Sequence, residues 1–195
     1  RDRTNDGNSQ EFHGLVSVGM LSDRVHLEGP IVKDKTSFSV SGRVLHSFLF
    51  TPILQAFKVP ANYWFGDVNG KISHKFNNGD RLIASVYHGR DRFLVNYNNS
   101  YTIDGYDVAE NSAEAVHKEK TNVNLDWGNT VGALRWNHAF GSKLFANTTL
   151  AYNHYEMDVN MKYTNTYTQK GSEGLEKTTV TYDSGINDID FKVDF

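Results

Sequence analysis

Along most of this chain apolar and polar residues alternate at every step, the period expected of a β-strand with two unlike faces. Over 38–48 the even positions carry Phe38, Val40, Gly42, Val44, His46 and Phe48, while Ser37, Ser39, Ser41 and Arg43 point the other way. Over 64–76 Trp64, Val68, Ile72 and Phe76 share a face with two glycines, opposite Asp67, Asn69, Lys71, Ser73 and Lys75. Leu82, Ala84 and Val86 oppose Ser85, Tyr87 and Asp91, and Gly132, Leu134 and Trp136 oppose Ala133, Arg135 and Asn137. The chain closes with Ile189, Phe191, Val193 and Phe195 against Asp188, Asp190, Lys192 and Asp194. This pattern predicts strands over 12–20, 24–31, 36–50, 63–76, 81–96, 121–140, 144–167 and 178–195, the first two merging if 21–23 is not a turn. Over 155–161 the apolar residues move to odd positions, opposite in parity to Leu150 and Tyr152. A β-bulge near His154, or the end of an apolar zone, would produce that shift. Helical periodicity is confined to the polar stretch 109–120, inside a loop.

The connections sort by length. Short polar turns are expected at 33–35, 77–80 and 141–143, and long loops at 51–62, 97–120 and 168–177. Short links at one end and long ones at the other are the layout of an antiparallel transmembrane β-barrel in a bacterial outer membrane, turns on the periplasmic side and loops outside. The expected fold class is therefore all-β, with about eight meander strands. Pro30, Pro52 and Pro60 fall at strand ends or in loops, where a missing N–H costs no ladder bond. Phe48, Phe50, Tyr63, Trp64, Phe65, Phe76, Phe140 and Phe145 gather near strand ends, as rings do at membrane interfaces. Strands longer than the ~9–11 residues that cross a bilayer read as hairpins rising above it.

Composition agrees with this reading. No stretch approaches the ~18–20 uninterrupted apolar residues that a spanning helix needs, which excludes a helical membrane protein, and a mean hydropathy of -0.53 is compatible with a barrel, which shows lipid only every second residue. A net charge of -3, with Lys and Arg scattered, gives no reason to expect nucleic acid. With no cysteine, neither a disulfide scaffold nor a thiolate metal site is available. Nothing at the N-terminus reads as a signal peptide, and a start at Arg1 rather than Met is expected of a mature chain or part of a longer one.

Candidate chemistry is sparse. The 8 histidines are spread along strands and loops without metal-ligand spacing, so no metal or other cofactor is expected. No phosphate loop or nucleophile elbow is present, and no enzymatic activity is expected. Glu156 and Asp158 share a strand face, a pairing open to either a two-carboxylate glycosidase or an ordinary polar wall. In the loop 97–120, Tyr101, Asp104, Tyr106 and Asp107 are the candidate ligand contacts, with Tyr97 beside them. Aromatic rings there suit stacking on a ligand, and acids suit polar contacts, although Asp104–Asp107 also reads as a turn. Arg43, Asp67, Lys71, Lys75, Asp91 and Arg135 fall on the polar strand faces and form the expected lumen wall. In a wide barrel they face water or an internal plug, and in a narrow one they must pair with each other.

A resemblance adds to this. Glu28-Gly29-Pro30-Ile31, Lys33-Asp34-Lys35-Thr36-Ser37-Phe38, Ser41-Gly42-Arg43, Tyr87-His88-Gly89-Arg90-Asp91-Arg92-Phe93, Leu125-Asp126-Trp127-Gly128-Asn129, Arg135-Trp136-Asn137-His138 and Leu144-Phe145-Ala146-Asn147 follow one another in an order that resembles the TonB-dependent outer-membrane receptors of Bacteroidetes-type bacteria. The resemblance implies a segment of a larger, plugged barrel of about 22 strands. Residues 1–11 would then be the tail of the plug or a linker, and 12–195 the first part of the barrel. It implies import of a nutrient such as a glycan, siderophore or peptide. The implied partners are outer-membrane lipid, the TonB system acting through the plug, and in some relatives a SusD-like surface lipoprotein. No substrate contacts carry over from it.

Two other readings stay open at this point. One is a complete eight-stranded barrel with an adhesive, structural or narrow-channel role, and the other a soluble carbohydrate-binding β-sandwich. Because lipid cannot satisfy bare strand edges, closure, a partner chain or further strands are expected of the barrel readings.

Overall fold

The computed structural model describes residues 7–57, 60–103, 115–141, 144–169 and 172–195. Eight strands form one antiparallel sheet in strict chain order: β1 (His13–Val18), β2 (Ser22–Val32), β3 (Thr36–Leu45), β4 (Ala61–Lys75), β5 (Arg81–Ile103), β6 (Ala115–Ala139), β7 (Phe145–Gln169) and β8 (Ser172–Asp194). A helix, α1 (Ser47–Ala56), lies between β3 and β4. The meander follows from the alternation, since each strand has one apolar face and a hairpin is the shortest way to set the next beside it.

The turns are built from local chemistry. Between β2 and β3 the chain reverses at 33–35, where Asp34 takes φ 59, a left-handed position that aspartate tolerates. Between β4 and β5 the Asn78 side chain accepts the Asp80 backbone N–H at 3.1 Å, and Gly79 takes φ 91. Four rings lie over backbone that lacks a side chain: Phe12 over Gly29, Trp64 over Gly66, Tyr87 over Gly89 and Tyr167 over Gly174. Rings covering glycines in this way restore packing that a strand glycine forfeits.

Several expectations are corrected. The strand expected over 36–50 ends at Leu45, and Ser47–Ala56 is helical despite Pro52 within it. The run Phe48-Leu49-Phe50 has lost the alternation that a half-buried strand needs. The loop expected at 97–120 is mostly sheet. β5 runs to Ile103 and β6 starts at Ala115, so the helical reading of 109–120 fails for its described part. The loop expected at 168–177 shrinks likewise, with β7 ending at Gln169 and β8 starting at Ser172. No bulge occurs near His154, because the β6–β7 pairing runs unbroken from Val116↔Thr168 to Ala139↔Phe145. The one shift of register lies between Pro30 and Val32, where proline cannot donate to the ladder.

The sheet is a single open layer. β1 pairs only with β2 and β8 only with β7, so the closure expected of a complete eight-stranded barrel does not occur within this chain. A β-sandwich is equally absent among the described residues, there being no second sheet. Among the described residues only Ile83 and Ala146 are buried hydrophobics. The accessible surface is 13913 Å², against roughly 9,300 Å² for a globular protein of this mass.

Candidate functional site: an apolar band and a polar wall

The registers place every strand residue on one of two faces. On the front face one row reads Gly14, Leu27, Val40, Gly70, Val86, Gly132, Tyr152 and Ile189 from β1 to β8. The row beneath reads Gly29, Phe38, Ile72, Ala84, Leu134, Leu150 and Phe191 from β2 to β8. Neither row contains a charge. Together they form a continuous apolar band in which most of the larger side chains stand exposed, Ile189 at 75% and Phe191 at 69%, while Phe38 is half-buried.

The band is oblique. On β8 it occupies Ile189 to Phe195, at and below the first of these rows, and at β1 it runs from Phe12, over Gly29 in the row beneath, up to Val18. A drift of about four residues between the two ends of the sheet, at 3.4 Å per residue and 4.8 Å between strands, is a slope of roughly 20–25°. At the short-turn edge His74 packs edge-on against Phe76 at 4.5 Å, and His138 stands between Trp136 at 5.3 Å and Phe140 at 4.5 Å. This aromatic rim is tied to the turn by Asp80, which is buried and accepts Trp136 Nε1 at 3.2 Å and lies 2.6 Å from His138 Nδ1. Burial works to raise the Asp80 pKa, but hydrogen bonds from His138, Asn78 and Trp136 outweigh it and hold the carboxyl below its ordinary value.

Above the band the two faces exchange character. On β5–β8 the apolar stretch of the front face ends upward at one row, Val68, His88, Thr130, His154 and Asn187. Within that row His88 Nδ1 lies 2.8 Å from Thr130 Oγ1 and His154 Nδ1 2.7 Å from Asn187 Oδ1, so these histidines are occupied by hydrogen bonds. Next above it on the front face is an ionic network. Arg90 Nε donates to Asp126 Oδ1 at 2.5 Å, Arg92 Nη2 lies 2.8 Å from Asp126 Oδ2, and Arg90 Nη1 lies 3.5 Å from Glu156. Asp126 is buried, which favours its neutral form, but the two guanidiniums prevail and keep its pKa low. Asp158 faces Asp183 directly across β7–β8, and burial together with that neighbouring acid raises its pKa. Glu156 and Asp158, the pair weighed as a glycosidase dyad, are therefore committed to this network.

The back face above the band carries Phe65, Phe93, Leu125, Trp127, Met157 and Val159. The parity shift seen in the sequence is this exchange of polarity, with the register intact. Tyr63 also lies on this face and donates its hydroxyl to Asp91. Burial first, then that hydrogen bond and the Asp91 charge, push the Tyr63 phenol up to about 12.

All six predicted wall residues, Arg43, Asp67, Lys71, Lys75, Asp91 and Arg135, share the back face. Among them Arg43 and Asp67 are brought together, at 2.5 Å, and Asp91 is engaged by Tyr63. Of the predicted loop contacts, Tyr101 lies on β5, and Asp104, Tyr106 and Asp107 lie outside the described residues. Tyr101 stacks on His117 at 5.2 Å, His117 stacks on Tyr167 at 5.8 Å, and the Tyr101 and Tyr163 hydroxyls both donate to Glu119 Oε1. The His117, Glu119, Tyr163 and Tyr167 positions joined to it were not singled out from sequence, because residues 115–120 read as loop. No cluster among the described residues could hold a metal ion. No helix among the described residues is long and apolar enough to cross a membrane. No family model, curated protein or solved structure matches the chain.

Proposed function

We propose that this chain is wall material of a bacterial outer-membrane β-barrel, its front face against lipid and its back face toward the lumen. The observation that carries this reading is the oblique apolar band on a single-layer sheet. In water that band would form an exposed apolar surface far larger than monomers tolerate. Against acyl chains it is matched, and a slope of the band against the strand rows is what inclined strands require, those of barrels being tilted by ~35–45°. The exchange of polarity above His88 and His154 supports the same reading, because past the lipid the outward face meets headgroups and water. Aromatic rings beside the short turns mark the other interface.

The wall is proposed to belong to a TonB-dependent importer of a nutrient, a larger plugged barrel working with the TonB system and, in one subgroup, a SusD-like lipoprotein. The ordered resemblance to that family supports this. The bare edges of β1 and β8 run against the closure, partner chain or further strands expected of it, so the reading requires strands from elsewhere to satisfy their backbone groups within lipid.

The cysteine-free chain invites a direct test with single-cysteine variants of the full-length protein in vesicles. Probes at Ala84, Val86 and Leu134 should be quenched by nitroxides carried on lipid acyl chains, and probes at Ser85 and Arg135 should not. Equal quenching on both faces rejects the membrane reading. The importer role is tested separately by deleting the gene and measuring energised uptake across a panel of scarce nutrients. No loss for any of them removes that role.

A further inference from the structure

We propose that the back face holds a binding site for a small solute bearing an oxyanion, a carboxylate or phosphate group, gripped between Arg24 and Arg43. The two arginines sit directly opposite each other across β2 and β3. Cβ atoms in such a pair are about 4.5–5.5 Å apart, and like charges there are destabilising. Arg43 is neutralised, donating Nε at 3.1 Å and Nη2 at 2.5 Å to the same Asp67 oxygen while its guanidinium lies 4.7 Å from the Phe65 ring centre. Arg24 is exposed, and no carboxylate of the described residues pairs with it. Asp67 thus serves Arg43 alone, and Arg24 faces it without a carboxylate partner among the described residues.

The surroundings fit an anion. Arg24 and Arg43 line a concavity of about 460 Å³ together with His26, Ser41, Asn69 and Tyr87, a size within the range of small-molecule sites. Ser41, Asn69 and Tyr87 can each donate a hydrogen bond into it, and a guanidinium fork matches a planar carboxylate or a phosphate face. Leu15 of β1 supplies an apolar wall for the rest of the solute. Asp67, and Glu28 3.5 Å from His26, keep the local potential modest and so favour a ligand of low charge. The site is made by β1–β5 alone and does not depend on what covers the front face.

The test uses the full-length protein in an uncharged maltoside detergent and a chloride-free buffer of low ionic strength. Inorganic phosphate and acetate are titrated separately by calorimetry. Wild type is expected to bind at least one of them saturably, Arg24→Gln at least about tenfold more weakly, and Arg24→Lys in between. Because Arg24→Gln removes a repulsion, its unfolding temperature without anion should equal or exceed that of wild type. It should also lack the anion-dependent rise that wild type shows. Ser41→Ala, which leaves both charges in place, should weaken binding as well. No saturable uptake of either anion by wild type, or equal affinities in wild type and Arg24→Gln, overturns the proposal.

Discussion

Replacing Leu134 by arginine is the sharpest probe of the front face. Leu134 is 49% exposed and lies between Ala84 and Leu150 in the row that also holds Phe38, Ile72 and Phe191. No acid in that row could neutralise a new guanidinium. If the row lies at the middle of a bilayer, an arginine there costs about 2–4 kcal/mol. That corresponds to roughly a 30- to 900-fold loss in the folding equilibrium. If the row faces water, exchanging one exposed side chain for another stays within about 0.5 kcal/mol. Thr148 supplies the control, because it sits one row nearer the turns, between Trp136 and Val193. At that interfacial height arginine should cost only about 0–1 kcal/mol. The measurement is reversible urea unfolding of the full-length protein in phospholipid vesicles, followed by the fluorescence of Trp64, Trp127 and Trp136. Leu134→Arg should be the most damaged and Thr148→Arg nearly wild type. Equal, small effects at both positions would refute the reasoning.

Three further outcomes follow from the polar chemistry. Asp80 has a lowered folded pKa, so its contribution is present above the unfolded carboxyl value of about 3.9 and is lost as pH falls through the folded value. Asp80→Asn should therefore flatten the acid limb of a stability–pH curve, and an unchanged limb counts against the His138–Asp80–Trp136 arrangement. Asp126→Asn weakens the hydrogen bonds from Arg90 and Arg92 and leaves their charges facing each other, so the denaturant midpoint should fall by an amount equivalent to about 1–2 kcal/mol, discounted for the half-exposed guanidiniums. That deficit should narrow in high salt, and a salt-independent deficit would point to packing instead. Tyr63 should stay protonated near pH 11 and lose part of that resistance in Asp91→Asn, burial keeping the rest, as read by ultraviolet difference titration.

Strand identity, the antiparallel meander and the side on which each residue points were legible in the sequence, because period-two alternation assigns every side chain to a face without reference to partners. This is why Arg43, Asp67, Lys71, Lys75, Asp91 and Arg135 fall on one face as read. The lengths of β5 to β8 were not legible. Tyr97–Ile103 and Ala115–Lys120 are too polar to suggest a strand, and they are held in the sheet by a ladder with distant partners. The outer ionic network and the Arg24–Arg43 pair were hidden for the same reason, since each joins residues on different strands and needs the register to become visible. Sequence alone thus determined a two-faced sheet. Tertiary structure decided how far the hairpins extend, which charges meet, and that the layer remains open at both edges. Alternation is a local property of the backbone, whereas register and closure depend on contacts between segments far apart in the chain.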